Sequence, residues 1–154
     1  MKTCLHWREE FKIGPYIFLV SSQYAMTSKR RKAKSKLEPQ FGVYLSEIWE
    51  GIPLSYPALI IRWPDYGAIE LKQLNKLMSK IKEKLDQGLT IDIACIMGHG
   101  RTGTLLACLL VELEGMSAED AIREVRTRHC EYAIECLDQE ELIEEFANTR
   151  KIVS

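Results

Sequence analysis

This chain lacks several features or has little of them, and each of these observations argues against one class of protein. No run of apolar residues reaches the roughly 18 needed to span a bilayer, and the first ten residues lack the apolar core of a secretory signal peptide. The five cysteines are odd in number and have no framework spacing, so we expect free thiols in a reducing, cytoplasmic compartment. The formal net charge is only −1, which is not typical of a chain built to bind nucleic acid.

The remaining composition is that of one small folded unit. Of the 154 residues, 46% are hydrophobic, which is enough to fill a core, so residues 1–154 are predicted to form a single domain. Short apolar runs at 16–21, 42–45 and 58–61 alternate with stretches of helical spacing such as 69–85. This alternation predicts an α/β fold, with a mostly parallel sheet of four to five strands flanked by helices. We expect a monomer that does not bind membranes.

The most informative segment runs from Cys95 to Gly103 and reads CIMGHGRTG, between an apolar run and an apolar helical stretch. Its glycines let successive backbone amides turn inward, and the N-terminus of the following helix adds partial positive charge. Such a loop can hold a tetrahedral dianion, with Arg101 binding two oxygens and Cys95 beneath them as a thiolate nucleophile. The predicted phosphate-binding residues are Ile96, Met97, Gly98, His99, Gly100 and Arg101.

Two observations make this loop more specific than a cysteine beside a glycine-rich turn. Cys95 is the one cysteine of the five that has an arginine six positions later. Thr102 follows at once, and its hydroxyl can donate to the Cys95 sulfur and help it leave when a phosphoenzyme breaks down. For the imidazole of His99 we expect an outward orientation rather than a chemical role.

A second candidate lies about thirty residues upstream, where Trp63-Pro64-Asp65 follows the apolar run 58–61. A phosphoenzyme mechanism needs an acid that protonates the departing oxygen and then a base that activates water, and one carboxyl on a loop can serve for both. Pro64 stiffens the turn and Trp63 can pack as an anchor. Asp65 is therefore predicted to be the general acid and base, although an ordinary Pro-Asp turn has the same local sequence.

Together, the segments 95–102 and 63–65 resemble the cysteine-dependent protein tyrosine phosphatase superfamily, and the chain length is similar to its compact, dual-specificity-like branch. The resemblance is strongest over residues 41–147. A third segment, Ala133 to Leu142, resembles a family run whose glutamine lies near the site. That likeness implies that Gln139 helps to place the hydrolytic water.

One position departs from the family pattern. The residue before the nucleophile is Ala94, where the family usually has a histidine that holds the loop and tunes the thiolate. The substitution leaves the backbone amides, the helix dipole and Arg101, so we still expect activity.

The predicted reaction is hydrolysis of a phosphomonoester through a cysteinyl-phosphate intermediate, without a metal or a cofactor. Phosphotyrosine on a protein is the expected substrate, because Ile96, Met97 and His99 are not the lysines that suit a highly charged phosphoinositide. Phosphoserine and phosphothreonine stay open.

Two other functions stay open at this point. Six of the eight residues in 29–36 are basic, and such a run could bind the backbone of RNA in a 5′-triphosphatase, guide a phosphopeptide, or be a solvated loop. The acidic stretch 131–145 offsets that charge. The absence of the usual histidine at position 94 also fits a relative that binds phosphopeptides without turning them over.

Overall fold

The computed structural model describes residues 4–151 and shows one central sheet with helices packed against it. The strands are β1 (Glu9–Ile13), β2 (Tyr16–Ser22), β3 (Phe41–Tyr44), β4 (Ala58–Ile60) and β5 (Ile91–Cys95). The helices are α1 (Gln23–Met26), α2 (Leu71–Asp86), α3 (Gly100–Glu114), α4 (Ala118–Arg128) and α5 (Leu137–Lys151), and a short 3-10 turn covers Glu47–Trp49.

The five strands have the order β1-β2-β5-β3-β4. β5 lies at the centre and pairs in parallel with β2 and β3, and β4 pairs in parallel with β3. The first strand, β1, is antiparallel to β2 and was not predicted, although its inward-facing Phe11 and Ile13 are buried. The predicted α/β fold with a mostly parallel sheet is confirmed. Because β5 is central, its carboxyl end is where a ligand site is expected.

Helix α3 leaves the carboxyl end of β5 after a short loop and crosses the core. Its residues from 100 to 111 are all buried, as expected for a helix that is apolar on every side. The helix begins at Gly100, so Arg101 belongs to its first turn. It ends at Gly115, whose φ of 69° gives the left-handed cap that favours glycine. Within residues 4–151, no helix combines the length and the apolar character needed to cross a membrane.

A buried carboxyl group lies inside the sheet, three residues before the end of β5. Asp92 accepts hydrogen bonds from the Ser21 hydroxyl and the Tyr44 hydroxyl, both at 2.8 Å. Burial raises the pKa of Asp92 to about 7, and these two hydrogen bonds oppose the rise. The native state therefore favours the protonated acid at this position.

This shift predicts a pH dependence of stability. Unfolded aspartate has a pKa of about 3.9, so the native state binds the extra proton, and the stability it contributes is lost as the pH rises towards 7. Between pH 5 and 7, the free energy of unfolding should fall by on the order of 2 kcal/mol more in the wild type than in Asp92→Asn. Urea denaturation at several pH values measures this. The exposed Asp86→Asn is the control, and parallel pH profiles for wild type and Asp92→Asn would show that Asp92 does not titrate as described.

Candidate active site

The sulfur of Cys95 lies at the base of the loop that joins β5 to α3. This loop, residues 95–101, is called the cysteine loop below. Cys95 is buried, and its Sγ accepts hydrogen bonds from the backbone N–H of Gly98 at 3.2 Å and from the Thr102 hydroxyl at 3.1 Å. The predicted contact between Thr102 and the sulfur is therefore present. Two donors and the N-terminus of α3 all face this one sulfur, an arrangement that suits a negatively charged atom.

The guanidinium group of Arg101 connects the cysteine loop to the segment that contains Asp65. Its side chain is only 5% exposed, and one nitrogen donates to the carbonyl of Trp63 at 2.9 Å. Another nitrogen lies 3.4 Å from a carboxylate oxygen of Asp65, whose own side chain is 56% exposed. The structure thus brings together the predicted nucleophile loop and the predicted acid, although they are far apart in the sequence.

Residues 63–67, called the aspartate loop below, form a tight turn. The backbone N–H of Gly67 bonds to the carbonyl of Pro64 at 3.1 Å, and Tyr66 has a positive φ of 52°. The buried indole of Trp63 donates to the carbonyl of Gly67 at 2.7 Å, which anchors the turn from below. Asp65 is held at the exposed tip of this turn.

Gln139 is buried and contacts the aspartate loop. Its side-chain amide donates to the carbonyl of Gly67 at 3.2 Å, and its oxygen accepts from the N–H of Glu135 at 2.8 Å. In this arrangement the residue ties the aspartate loop to the segment before α5. Its predicted contact with a hydrolytic water stays a prediction.

The backbone of the cysteine loop is shaped by its glycines and by side chains from distant segments. Gly98 has a φ of 81°, and a Cβ there would lie 3.2 Å from both the His6 ring and the carbonyl of Ser21, so no other residue fits well. The carbonyl of Gly98 accepts a hydrogen bond from His129 at 2.7 Å. A Cβ on Gly100 would clash with the Glu135 carboxylate at 2.3 Å.

The remaining side chains of the cysteine loop are partly exposed. Ile96, Met97 and His99 are each half-buried. Burial is the larger cause and the nearby His6 the smaller one in lowering the pKa of His99 to about 4, so its imidazole is neutral near pH 7. We expected His99 to point outward, but its ring is only partly exposed and its Nε2 atom is buried.

Comparison with known proteins relates this chain to phosphatases. A family model described as "Polymorphic toxin system, DSP-PTPase phosphatase" matches residues 49–115, which include both loops. A protein of Methanocaldococcus jannaschii without an assigned function is 36% identical over 115 residues, which are 70% of this chain and 76% of that protein. The zebrafish protein tyrosine phosphatase domain-containing protein 1 is 34% identical over 61% of this chain but only 13% of its own length.

The solved structures agree. A crystal structure of a mutant form of Tk-PTP aligns with a TM-score of 0.75 and 25% identity, covering 95% of this chain and 99% of that one. This chain belongs to the cysteine-dependent protein tyrosine phosphatase superfamily. The recognition made from the two loops is confirmed, and the phosphatase is of the dual-specificity or tyrosine-phosphatase type.

The structure adds residues to the phosphatase site that the sequence did not suggest. His129 at the end of α4 supports the cysteine loop through Gly98, and Glu135 packs against Gly100. The basic run 29–36 lies in the loop between α1 and β3, where all its residues except Ser35 are exposed. Its Arg31 guanidinium stacks over the ring of Trp7 at 5.0 Å. That placement fits a solvated loop.

Arg126 is a further residue that was not predicted. From α4 its guanidinium donates to the carbonyls of Ala133 and Ile134, at 3.0 and 2.8 Å, and pairs with Glu140. These carbonyls belong to the segment that packs against the first turn of α3, where a Cβ on Gly103 would lie 2.7 Å from Ala133. Arg126 therefore braces the segment that lies beneath the cysteine loop.

Arg126→Ala should destabilise the phosphatase by on the order of 2 kcal/mol, because two partly buried carbonyls lose their donor. Urea denaturation measures the loss. The matched control is Arg123→Ala on the same helix, which breaks only exposed ion pairs and should change stability by less than about 0.5 kcal/mol. Equal effects of the two substitutions would contradict the bracing role.

Proposed function

We propose that this phosphatase hydrolyses phosphomonoesters on proteins, phosphotyrosine first among them, through a cysteinyl-phosphate intermediate. The observation that carries the proposal is the convergence on one site of Cys95, Arg101 and Asp65. The sulfur receives two hydrogen bonds at the base of the cysteine loop, and the buried guanidinium lies 3.4 Å from the carboxylate. These three groups supply what the proposed reaction needs: a nucleophile, an oxyanion-binding group and a proton donor.

In the first proposed step, the Cys95 thiolate attacks phosphorus in line with the ester oxygen. The S–P bond forms while the P–O bond to the leaving group breaks, and Asp65 gives its proton to the departing oxygen. Arg101 and the amides of the cysteine loop bind the three equatorial oxygens, where charge spreads in the transition state. The Asp65 side chain is 56% exposed and is therefore in contact with water, the source of that proton.

In the second proposed step, water attacks the phosphocysteine. Asp65 now accepts a proton from the water, the new P–O bond forms, and the S–P bond breaks to release inorganic phosphate. Thr102, whose hydroxyl lies 3.1 Å from the sulfur, stabilises the departing thiolate. The two proposed steps use Cys95, Asp65, Arg101, Thr102, the loop amides and water.

The preference for phosphotyrosine rests on the surface around the cysteine loop. Ile96 and Met97 present apolar side chains, and the ring of Tyr66 at the tip of the aspartate loop is 64% exposed. Such a rim suits an aromatic ester better than an inositol ring that carries several phosphates. Phosphoserine and phosphothreonine esters are slower substrates in this proposal.

Hydrolysis of p-nitrophenyl phosphate in a chelator-treated buffer tests the mechanism. Cys95→Ser should abolish turnover, and Asp65→Asn should lower kcat by about 100-fold or more with little change in KM. The exposed Asp86→Asn is the matched control and should retain activity. Normal turnover by Cys95→Ser would refute the covalent mechanism.

Substitution of Thr102 separates the two steps. Thr102→Val should slow breakdown of the intermediate, so that a burst of nitrophenol precedes a steady state about tenfold slower than in the wild type. Thr102→Ser keeps the hydroxyl and should restore the rate. A slower steady state without a burst would place the defect in the first step and contradict this role.

The absence of histidine at position 94 favours one alternative function, which is phosphopeptide binding without hydrolysis. A panel of phosphotyrosine and phosphoserine peptides, inositol phosphates and triphosphate-ended RNA distinguishes the functions. The proposal predicts phosphate release from phosphotyrosine peptides above all. Peptide binding with no release from any substrate would favour the binding function instead, and release from RNA alone would favour the triphosphatase.

A further inference from the structure

Four metal-ligating side chains meet at the cysteine loop, one of them from the loop itself. Cys4 and His6 come from the segment before β1, His99 from the cysteine loop, and Cys130 from the turn after α4. One ligand atom from each of the four lies within 4.8 Å of every other. No two of these segments adjoin in the sequence, so no motif spacing could have suggested the cluster.

The sulfur atoms already have the separation that a tetrahedral metal requires. The Sγ atoms of Cys4 and Cys130 lie 3.8 Å apart. Two thiolates on a tetrahedral zinc ion, each at about 2.3 Å, are about 3.8 Å from one another. A disulfide needs about 2.05 Å, which is far shorter. The pair is therefore placed as two ligands of one ion rather than as a closed bridge.

The imidazoles of His6 and His99 are also placed as metal ligands. The Nε2 atoms of His6 and His99 are both buried and have no hydrogen-bond partner among the described residues. The His6 side chain is only 7% exposed, and its Nδ1 bonds to the carboxylate of Glu9. A histidine that binds a metal through one nitrogen commonly donates the other N–H to a carboxylate. Unpartnered buried nitrogens are costly, and a metal ion would satisfy both.

We propose that Cys4, His6, His99 and Cys130 bind one zinc ion. A set of two cysteines and two histidines in tetrahedral reach is the ligand set of structural zinc sites. The ion would join the segment before β1 and the end of α4 to the cysteine loop through His99, and it would take no part in the reaction at Cys95. This inference departs from the expectation, drawn from the sequence, of a chain without a metal site.

Metal content tests the site without reference to activity. Protein purified without chelators should contain about one zinc per chain by elemental analysis, and Cys4→Ser and Cys130→Ser should retain about a tenth of that or less. Cys136→Ser is the matched control and should keep the metal. Cys95→Ser should also keep the metal, because Cys95 is not one of the four proposed ligands. Loss of the metal in that variant would instead place it at the catalytic thiol.

A second measurement guards against misfolding of the cysteine variants. Cobalt added to metal-free wild-type protein should give the sulfur-to-cobalt and tetrahedral d–d absorption bands of a two-thiolate site. Glu9→Gln keeps all four ligands but removes the charge behind His6, and it should weaken zinc binding about tenfold or more. Glu10→Gln, which changes the neighbouring exposed carboxylate, is its control and should leave the affinity unchanged.

Three outcomes would overturn the proposal. The first is that metal-free wild-type protein gives no cobalt spectrum when cobalt is added. The second is that the zinc persists in both Cys4→Ser and Cys130→Ser. The third is that purified wild-type protein carries a Cys4–Cys130 disulfide by mass spectrometry and binds no metal after reduction. None of these results bears on hydrolysis by Cys95, so the two proposals can fail separately.

Discussion

The buried charge of Arg101 is the constraint on which the site depends. A guanidinium that is removed from water must be compensated by acceptors, or the fold loses several kcal/mol. Here the carbonyl of Trp63 and the carboxylate of Asp65 provide them. The cation in the first turn of α3 therefore fixes the aspartate loop over the cysteine loop. In the proposed reaction, a phosphate group bound in the cysteine loop would offer further oxygen acceptors to the same guanidinium.

The candidate residues that the sequence suggested are those whose geometry is encoded locally. The cysteine loop combines glycines, a preceding strand and a following helix within one short segment, so its shape follows from nearby residues. Asp65 was predicted because its tripeptide resembles the family's acid loop, and the structure places its carboxylate 3.4 Å from Arg101. Contacts that depend on tertiary packing left no such signal. His129 reaches Gly98 from α4, and Arg126 reaches two carbonyls of a distant segment, and no periodicity or spacing encodes either contact.

The structure also shows what surrounds the position where the family histidine is replaced. Ala94 is completely buried against aromatic rings that include Trp49. The indole of Trp49 donates to the carbonyl of Cys95 at 3.3 Å, and His129 bonds to the carbonyl of Gly98. The backbone on both sides of the sulfur is therefore held by other side chains. Loss of the usual histidine need not loosen the loop, because Trp49 and His129 each hold one of its backbone carbonyls.

The two loops differ in how firmly they are held, and this difference suits their tasks. The cysteine loop lies between the central strand and a fully buried helix, so its amides are fixed before any substrate arrives, which is the arrangement that electrostatic catalysis requires. The aspartate loop rests on a few hydrogen bonds, from Trp63, Gln139 and Arg101, and its tip is exposed. Net hydrogen bonds contribute only about 1 kcal/mol each. The two neutral hydrogen bonds, from Trp63 and Gln139, are therefore cheap to break, whereas moving the loop away from Arg101 would leave a buried cation without its acceptors.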